Sequence, residues 1–266
     1  MDYTSVDYSI LAFMATDIGC LRRSNQDRVA FVVPQDAEER KRLGVLAVLA
    51  DGMGGHQGGE VASDLAVKTI CERYFATSGN GSRRALELAI EEANGAVFRA
   101  AQSDPRLEGM GTTATVLLLV GRKVLFANVG DSRLYRCVAG QCTQMTVDDT
   151  LVEQLLRAGI IDAEEARQHP VRNVLLRSLG TQDQLGVDAR RGGSPTVGES
   201  FVLCSDGLYE TIGPEEIARA VTDREPEVAC RELIELARER GGRDNISVGV
   251  VAIRPLATPV RAGRWG

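Results

Sequence analysis

Five aspartates stand at the ends of strand-like runs. Val45–Ala50 leads into Asp51-Gly52-Met53-Gly54-Gly55-His56, and Phe201–Cys204 leads into Ser205-Asp206-Gly207. Asp244 sits on the turn Gly241-Gly242-Arg243-Asp244-Asn245, just before the β-rich run 246–253. Asp131 lies in Gly130-Asp131-Ser132-Arg133, and Asp27 opens the run 28–33. One Asp-Gly pair is an ordinary turn. Five acids at strand ends are harder to explain that way, because a bare buried carboxylate is expensive and a divalent cation is its natural partner. Two carboxylates about 4 Å apart repel by roughly 4 kcal/mol at an effective dielectric of 20. Several such pairs rival a whole folding stability of about 5–15 kcal/mol. Divalent ions reverse that sign. Two ions about 3.5–4 Å apart, bridged by one Asp, hold and acidify a shared water suited to attack on a phosphate monoester. Gly52 lets its own carbonyl approach such a ligand. Arg22, five residues before Asp27, offers a planar fork for the phosphate. Arg23 points the other way in an extended segment and reads as a surface residue.

Composition narrows the metal. With only two histidines, His56 and His169, a His-rich zinc or iron centre is hard to build, and an oxygen-only site for Mg²⁺ or Mn²⁺ fits better. The net charge of −6 and pI of about 5.2 make no case for nucleic acid or an anionic membrane as partner. The beginning of the chain does not read as a secretory signal, and the longest apolar stretch, near 112–120, is too short to span a bilayer. These features predict a soluble, cytoplasmic protein. The six cysteines, at 20, 71, 137, 142, 204 and 230, show no C-x-x-C spacing and are expected to be reduced and mostly buried, with disulfides disfavoured.

The elements that must position these residues follow from periodicity. Strands are predicted at 9–16, 28–33, 43–50, 112–120, 123–129, 132–138, 183–189, 199–204 and 246–253. The runs 112–120 and 123–129 form a hairpin. Helices are predicted at 59–76, 82–102 (capped by Ser82), 149–158, 214–221 and 226–240, with Pro214 and Pro226 in first turns. The segment 34–42 reads as a charged surface loop and 149–182 as a flap. Residues 1–254 are expected to form one domain and 255–266 a loose tail. Short links and few β-α-β alternations point to an α+β fold of antiparallel sheets covered by helices.

Six segments in order resemble the motifs of the metal-dependent protein phosphatases of type 2C, the PPM family, in their bacterial form. They are Arg22–Asp27, Asp51–His56 with Gly59–Ser63, Gly109–Thr113, Asn128–Arg133, Cys204–Leu208 and Gly242–Asn245. The resemblance implies a four-layer α-β-β-α sandwich and hydrolysis of phosphoserine and phosphothreonine in proteins, as a monomer opposing a bacterial Ser/Thr kinase. Position by position, it implies that Asp51 bridges two core ions, Mn²⁺ or Mg²⁺, with the Gly52 carbonyl on one of them. It implies that Asp206 and Asp244 complete the second site and that Asp131 helps Asp206 hold a third, weaker ion. Asp27 would orient a water, and Arg22 would bind the phosphate. Two positions depart from the family: Gln26 replaces a frequent Glu, and Met53 stands where eukaryotic members carry a His. His56, nearby, is the candidate general acid; His169 reads as structural or surface.

Other classes fit less well. No cysteine has an Arg six positions on, which excludes a cysteine phosphatase. Ser132 lacks a plausible base, and no G-x-x-x-x-G-K-[ST] loop exists. The alternative from another class is a catalytically weak, phosphatase-like module that acts by binding proteins; the complete set of acids argues against it.

Overall fold

The computed structural model describes residues 2–4, 8–54 and 58–256. In chain order its elements begin with β1 (Asp2–Thr4), β2 (Ser9–Asp17), β3 (Asp27–Val32), α1 (Ala37–Leu43), β4 (Val45–Met53), α2 (Gly58–Phe75) and α3 (Arg83–Ser103). A 3₁₀ turn at Pro105–Leu107 leads to β5 (Gly111–Thr112), β6 (Ala114–Val120), β7 (Lys123–Val129), β8 (Arg133–Val138) and β9 (Gln141–Gln144). There follow α4 (Leu151–Arg157), α5 (Ala163–Gln168), β10 (Arg190–Arg191), β11 (Ser200–Cys204), α6 (Asp206–Tyr209), α7 (Pro214–Val221), α8 (Pro226–Glu239) and β12 (Ile246–Arg254).

Two antiparallel sheets result. One runs β1-β2-β12-β11-β8-β9, the other β10-β7-β6-β4-β3, with β5 paired to the end of β4. The strands alternate, and the alternation builds the layers. In β4, Val45, Ala47 and Leu49 meet Phe201, Leu203, Val251 and Ile253 of the other sheet in a central core. Leu46 and Val48 point the opposite way, against Ala66, Ile70, Leu86 and Ile90 of α2 and α3. On the far side, Val202, Val248 and Val250 pack on Ile217, Val221, Ala229 and Leu233 of α7 and α8. The architecture is therefore the expected four-layer α-β-β-α sandwich, helices outside and sheets facing. No helix among the described residues is long and apolar enough to cross a membrane.

Several local expectations need correction. The charged segment 34–42 is not a loop but holds α1. Asp36 caps it by accepting from the Glu39 N–H at 2.8 Å, Glu38 and Glu39 fill the first turn, and Arg40, Lys41 and Arg42 the last. That ordering of charge suits the helix dipole. Residues 183–189 form no strand. Their alternation reflects burial of Leu185, Val187 and Ala189 in the α2–α3 layer, and only Arg190–Arg191 pairs, with β7. The run 112–120 breaks at Thr113 into β5 and β6. Arg22 lies in the loop between β2 and β3. Among the cysteines, Cys137 and Cys142 are joined in a disulfide rather than left as thiols. The cause is the two-residue turn Ala139–Gly140, both with positive φ, which sets the two cysteines opposite each other in the β8–β9 hairpin. Of the tail, only residues 255 and 256 are described.

Candidate active site

The antiparallel pairing gathers the strand-end acids at one edge of the sandwich. Asp51, near the end of β4, is the cross-strand partner of Asp27, which opens β3. β11 ends where β12 begins, with Cys204 opposite Val248. This brings Ser205-Asp206 beside the Asp244-Asn245 turn. The β7–β8 connection delivers Asp131 to the same edge. A cleft of about 550 Å³ opens there, lined by Arg22, Asp51, Gly52, Asp131, Asp206 and Asp244. Its other wall is the flap and the turn that follows, with Asn173, Leu176, Ser178 and Gln182.

Short hydrogen bonds hold several of these acids and their loops in place. The Asp51 N–H donates to Thr113 Oγ1 at 2.9 Å, and its carbonyl accepts from the Thr113 N–H and Thr112 Oγ1, both at 2.8 Å. Thr113 Oγ1 in turn contacts Ser132 Oγ at 2.8 Å, which ties Asp51 to the Asp131 loop. Ser205 Oγ donates to Asp27 Oδ2 at 2.9 Å and accepts from the Ser247 N–H at 3.0 Å. Asn245 clamps the Arg22 loop: its Nδ2 donates to the carbonyls of Ile18 and Ser24, at 2.9 and 3.0 Å, and its Oδ1 accepts from the Gln26 N–H at 2.8 Å. The Arg22 guanidinium donates to Asp244 Oδ2.

Both Asp-Gly pairs need glycine for the same reason. A Cβ on Gly52 would stand 2.0 Å from the Gly59 carbonyl oxygen, and one on Gly207 2.1 Å from that of Asn245. Each glycine admits a neighbouring backbone. Neither is among the residues with positive φ, so the turn conformation does not demand it.

The electrostatics are strongly unfavourable to bare charge. Burial pushes Asp51 well above the usual carboxylate range, and the nearby charges of Asp27, Asp206, Asp131 and Asp244 add to it. Asp206 is raised in the same way, by burial and then by Asp131 and Asp244. Asp131 is raised to about 6 by burial and then Asp148, and Asp27 to about 6 chiefly by burial. Among the described residues, Asp27 Oδ1 and Asp206 Oδ1 are the buried side-chain oxygens with no hydrogen-bond partner. Clustered carboxylates with unclaimed oxygens fit oxygen-loving divalent ions. Among the described residues no group of three His, Cys, Asp or Glu is arranged to hold a metal ion in this structure. The acids surround the cleft, and Arg22 takes up Asp244.

Six of the predicted site residues thus share one cleft. Asp27 lies fully buried behind it, and His56 lies outside the described residues. His169 caps the end of α5 in the flap, away from the cleft. Ser205, Thr113 and Asn245 were not singled out from the sequence. All three stand inside the recognised motifs, but their tasks depend on partners distant in sequence.

Comparison with known proteins identifies the class of protein to which this fold and cluster of acids belong. A family model described as Protein phosphatase 2C matches residues 22–239, and the chain belongs to that family. It is similar to the serine/threonine protein phosphatase PstP of Mycobacterium tuberculosis, 36% identical over 90% of this chain but only 44% of that protein. The chain thus spans less than half the length of that relative. It is 34% identical to the serine/threonine phosphatase stp of Listeria welshimeri over 89% of this chain and 93% of that protein. A solved structure of the catalytic domain of PstP, in complex with two manganese ions, superimposes with a TM-score of 0.80, at 32% identity, covering 94% of this chain and 100% of that one.

Proposed function

We propose that this protein hydrolyses phosphoserine and phosphothreonine in proteins, using two Mn²⁺ or Mg²⁺ ions and a weaker third. The observation that carries this reading is the convergence of Arg22 with Asp51, Asp131, Asp206 and Asp244 on one cleft. Asp51 and the Gly52 carbonyl, with Asp206 and Asp244, would hold the core ions, and Asp131 with Asp206 the third. When bound, such ions acidify water and screen the phosphate dianion from its nucleophile. Arg22 releases Asp244 and presents its fork to the phosphate, fixing the monoester in the cleft. Asp27, behind Asp51 with Oδ1 unclaimed, orients a water from the rear. His56, five residues after Asp51 in sequence, is assigned as proton donor to the departing alkoxide.

The partners are phosphorylated proteins, and the reading includes a Ser/Thr kinase whose substrates this enzyme resets, with the chain acting as a cytoplasmic monomer. The names of its relatives, serine/threonine phosphatases, support the phosphoprotein substrates. The presence of every expected acid disfavours a purely binding module. The test is turnover of a phosphothreonine peptide in EDTA, Mg²⁺ and Mn²⁺ in parallel. Turnover only with added metal is expected; none under any condition would overturn the reading.

A further inference from the structure

Outside the cleft, the β8–β9 hairpin holds a second centre of chemistry. Cys137 and Cys142 face each other with Cα atoms 4.0 Å apart. In a two-residue hairpin, the pair next to the turn-closing pair Val138–Gln141 is a non-hydrogen-bonded one, where side chains approach most closely. The Met145 N–H bond to the Leu134 carbonyl, three pairs further on, confirms that phase. β9 is an edge strand, so the covalent link adds to one hydrogen-bonded neighbour. Cys137 is buried and Cys142 half-exposed, which leaves one sulfur open to attack from solvent. Three of the four remaining thiols differ. Cys71, Cys204 and Cys230 are each pushed up to about 12 by burial and are poor nucleophiles.

The same face of the hairpin leads to the cleft. Along β8 it continues from Cys137 to Tyr135 and Arg133, and along β9 from Cys142 to Gln144. Gln144 Nε2 donates to Asp148 Oδ1 at 2.9 Å, Arg133 pairs with Asp148 at 2.7 Å and donates to Tyr135 Oη at 3.2 Å. Arg133 opens β8 two residues after Asp131.

We propose that Cys137 and Cys142 are a reversible dithiol–disulfide site that clamps the edge strand bearing Gln144, and with it the Arg133–Asp148 pair beside Asp131. The oxidant is an oxidised low-molecular-weight thiol. The Cys142 thiolate attacks its S–S bond, giving a mixed disulfide and releasing one small thiol. Cys137 then attacks the Cys142 sulfur, closing the cross-strand bond and releasing the second small thiol. Two protons and two electrons pass from the cysteines to the two released thiols.

The test does not use phosphatase activity. The full chain carrying Cys20→Ser and Cys71→Ser is equilibrated across ratios of reduced to oxidised glutathione, acid-quenched, alkylated and weighed intact. Two thiols should disappear together within that series and return with excess reductant. Oxidation should raise Tm by a few degrees and slow amide exchange over 141–144, and both changes should be absent in the same chain with Cys142→Ser. Thiols that stay alkylatable at every ratio would overturn the proposal. So would a bond that persists in excess reductant, which would mark it as purely structural.

Discussion

Arg22 and Asp244, 222 residues apart in sequence, are joined in an ion pair at the lip of the cleft. The pair is half-exposed, with side-chain exposures of 51% and 33%, so it is worth little to stability. Its interest lies in exchange. A phosphate and a cation entering together would each take one partner, the guanidinium going to the phosphate and the carboxylate to the ion.

Removing the guanidinium should therefore act on binding. Arg22→Ala is expected to raise KM for a phosphothreonine peptide by roughly 10–100-fold, the loss of a charge-assisted contact of about 1.5–3 kcal/mol, while leaving Tm nearly unchanged. Steady-state kinetics in saturating Mn²⁺ check this. Unaltered KM and kcat would remove Arg22 from the phosphate site.

Asp206→Asn separates function from folding. The amide keeps the shape but loses the charge that burial and Asp131 disfavour. Mn²⁺-stimulated hydrolysis of p-nitrophenyl phosphate should vanish, and the Tm of the metal-stripped variant should equal or exceed that of the metal-stripped parent. A folded variant with full activity would sink the assignment of Asp206 to the metal site.

Metal removal should also reveal a pH dependence of stability. An acid whose folded pKa is raised stabilises the fold most when protonated. That contribution is complete below its unfolded value of 3.8 and is lost as pH rises through the folded value. For Asp27 and Asp131 the folded value is about 6, and Asp51 and Asp206 are raised in the same direction. In EDTA, Tm should fall as pH rises from 3.8 to about 6 and beyond. Saturating Mn²⁺ should flatten or reverse that slope where it binds. Thermal melts in paired buffers measure both; a metal-free Tm that climbs steadily through this window would contradict the clustered charges.

Gly207→Ala places a methyl 2.1 Å from the Asn245 carbonyl oxygen. The backbone must shift, at a cost of about 1–3 kcal/mol or more. Since Asn245 anchors the Arg22 loop, the variant should both lower Tm and raise KM. Gly121→Ala, with open space around its Cβ but positive φ, serves as a control that lowers Tm without touching the cleft.

Much of the fold was legible because its physics is local. Ser82 caps α3, and Leu86, Ile90, Ala93 and Val97 are all buried along it as their spacing predicts. The α2 face was harder to read: Ala62, Ser63 and Ala66 are fully buried alongside Ile70 and Tyr74, while the larger Val61 and Leu65 are only partly so, because small side chains let α2 approach the sheet. The failures at 34–42 and 183–189 share one cause. Charge was read as solvent exposure and alternation as pairing, although a capped helix can be charged and an extended loop can bury one side.

By itself the sequence determined which residues carry the chemistry. The acids, their strand-end positions and the motifs around them are written in residue type and spacing, and short-range forces suffice to place them on strands. Only the tertiary structure decided their company. That Asp27 faces Asp51, that Asn245 pins the Arg22 loop, that two glycines make room for remote carbonyls, and that Cys137 meets Cys142 all follow from strand register and packing. Register depends on how every buried face in both sheets fits at once, and no local stretch of sequence contains that sum.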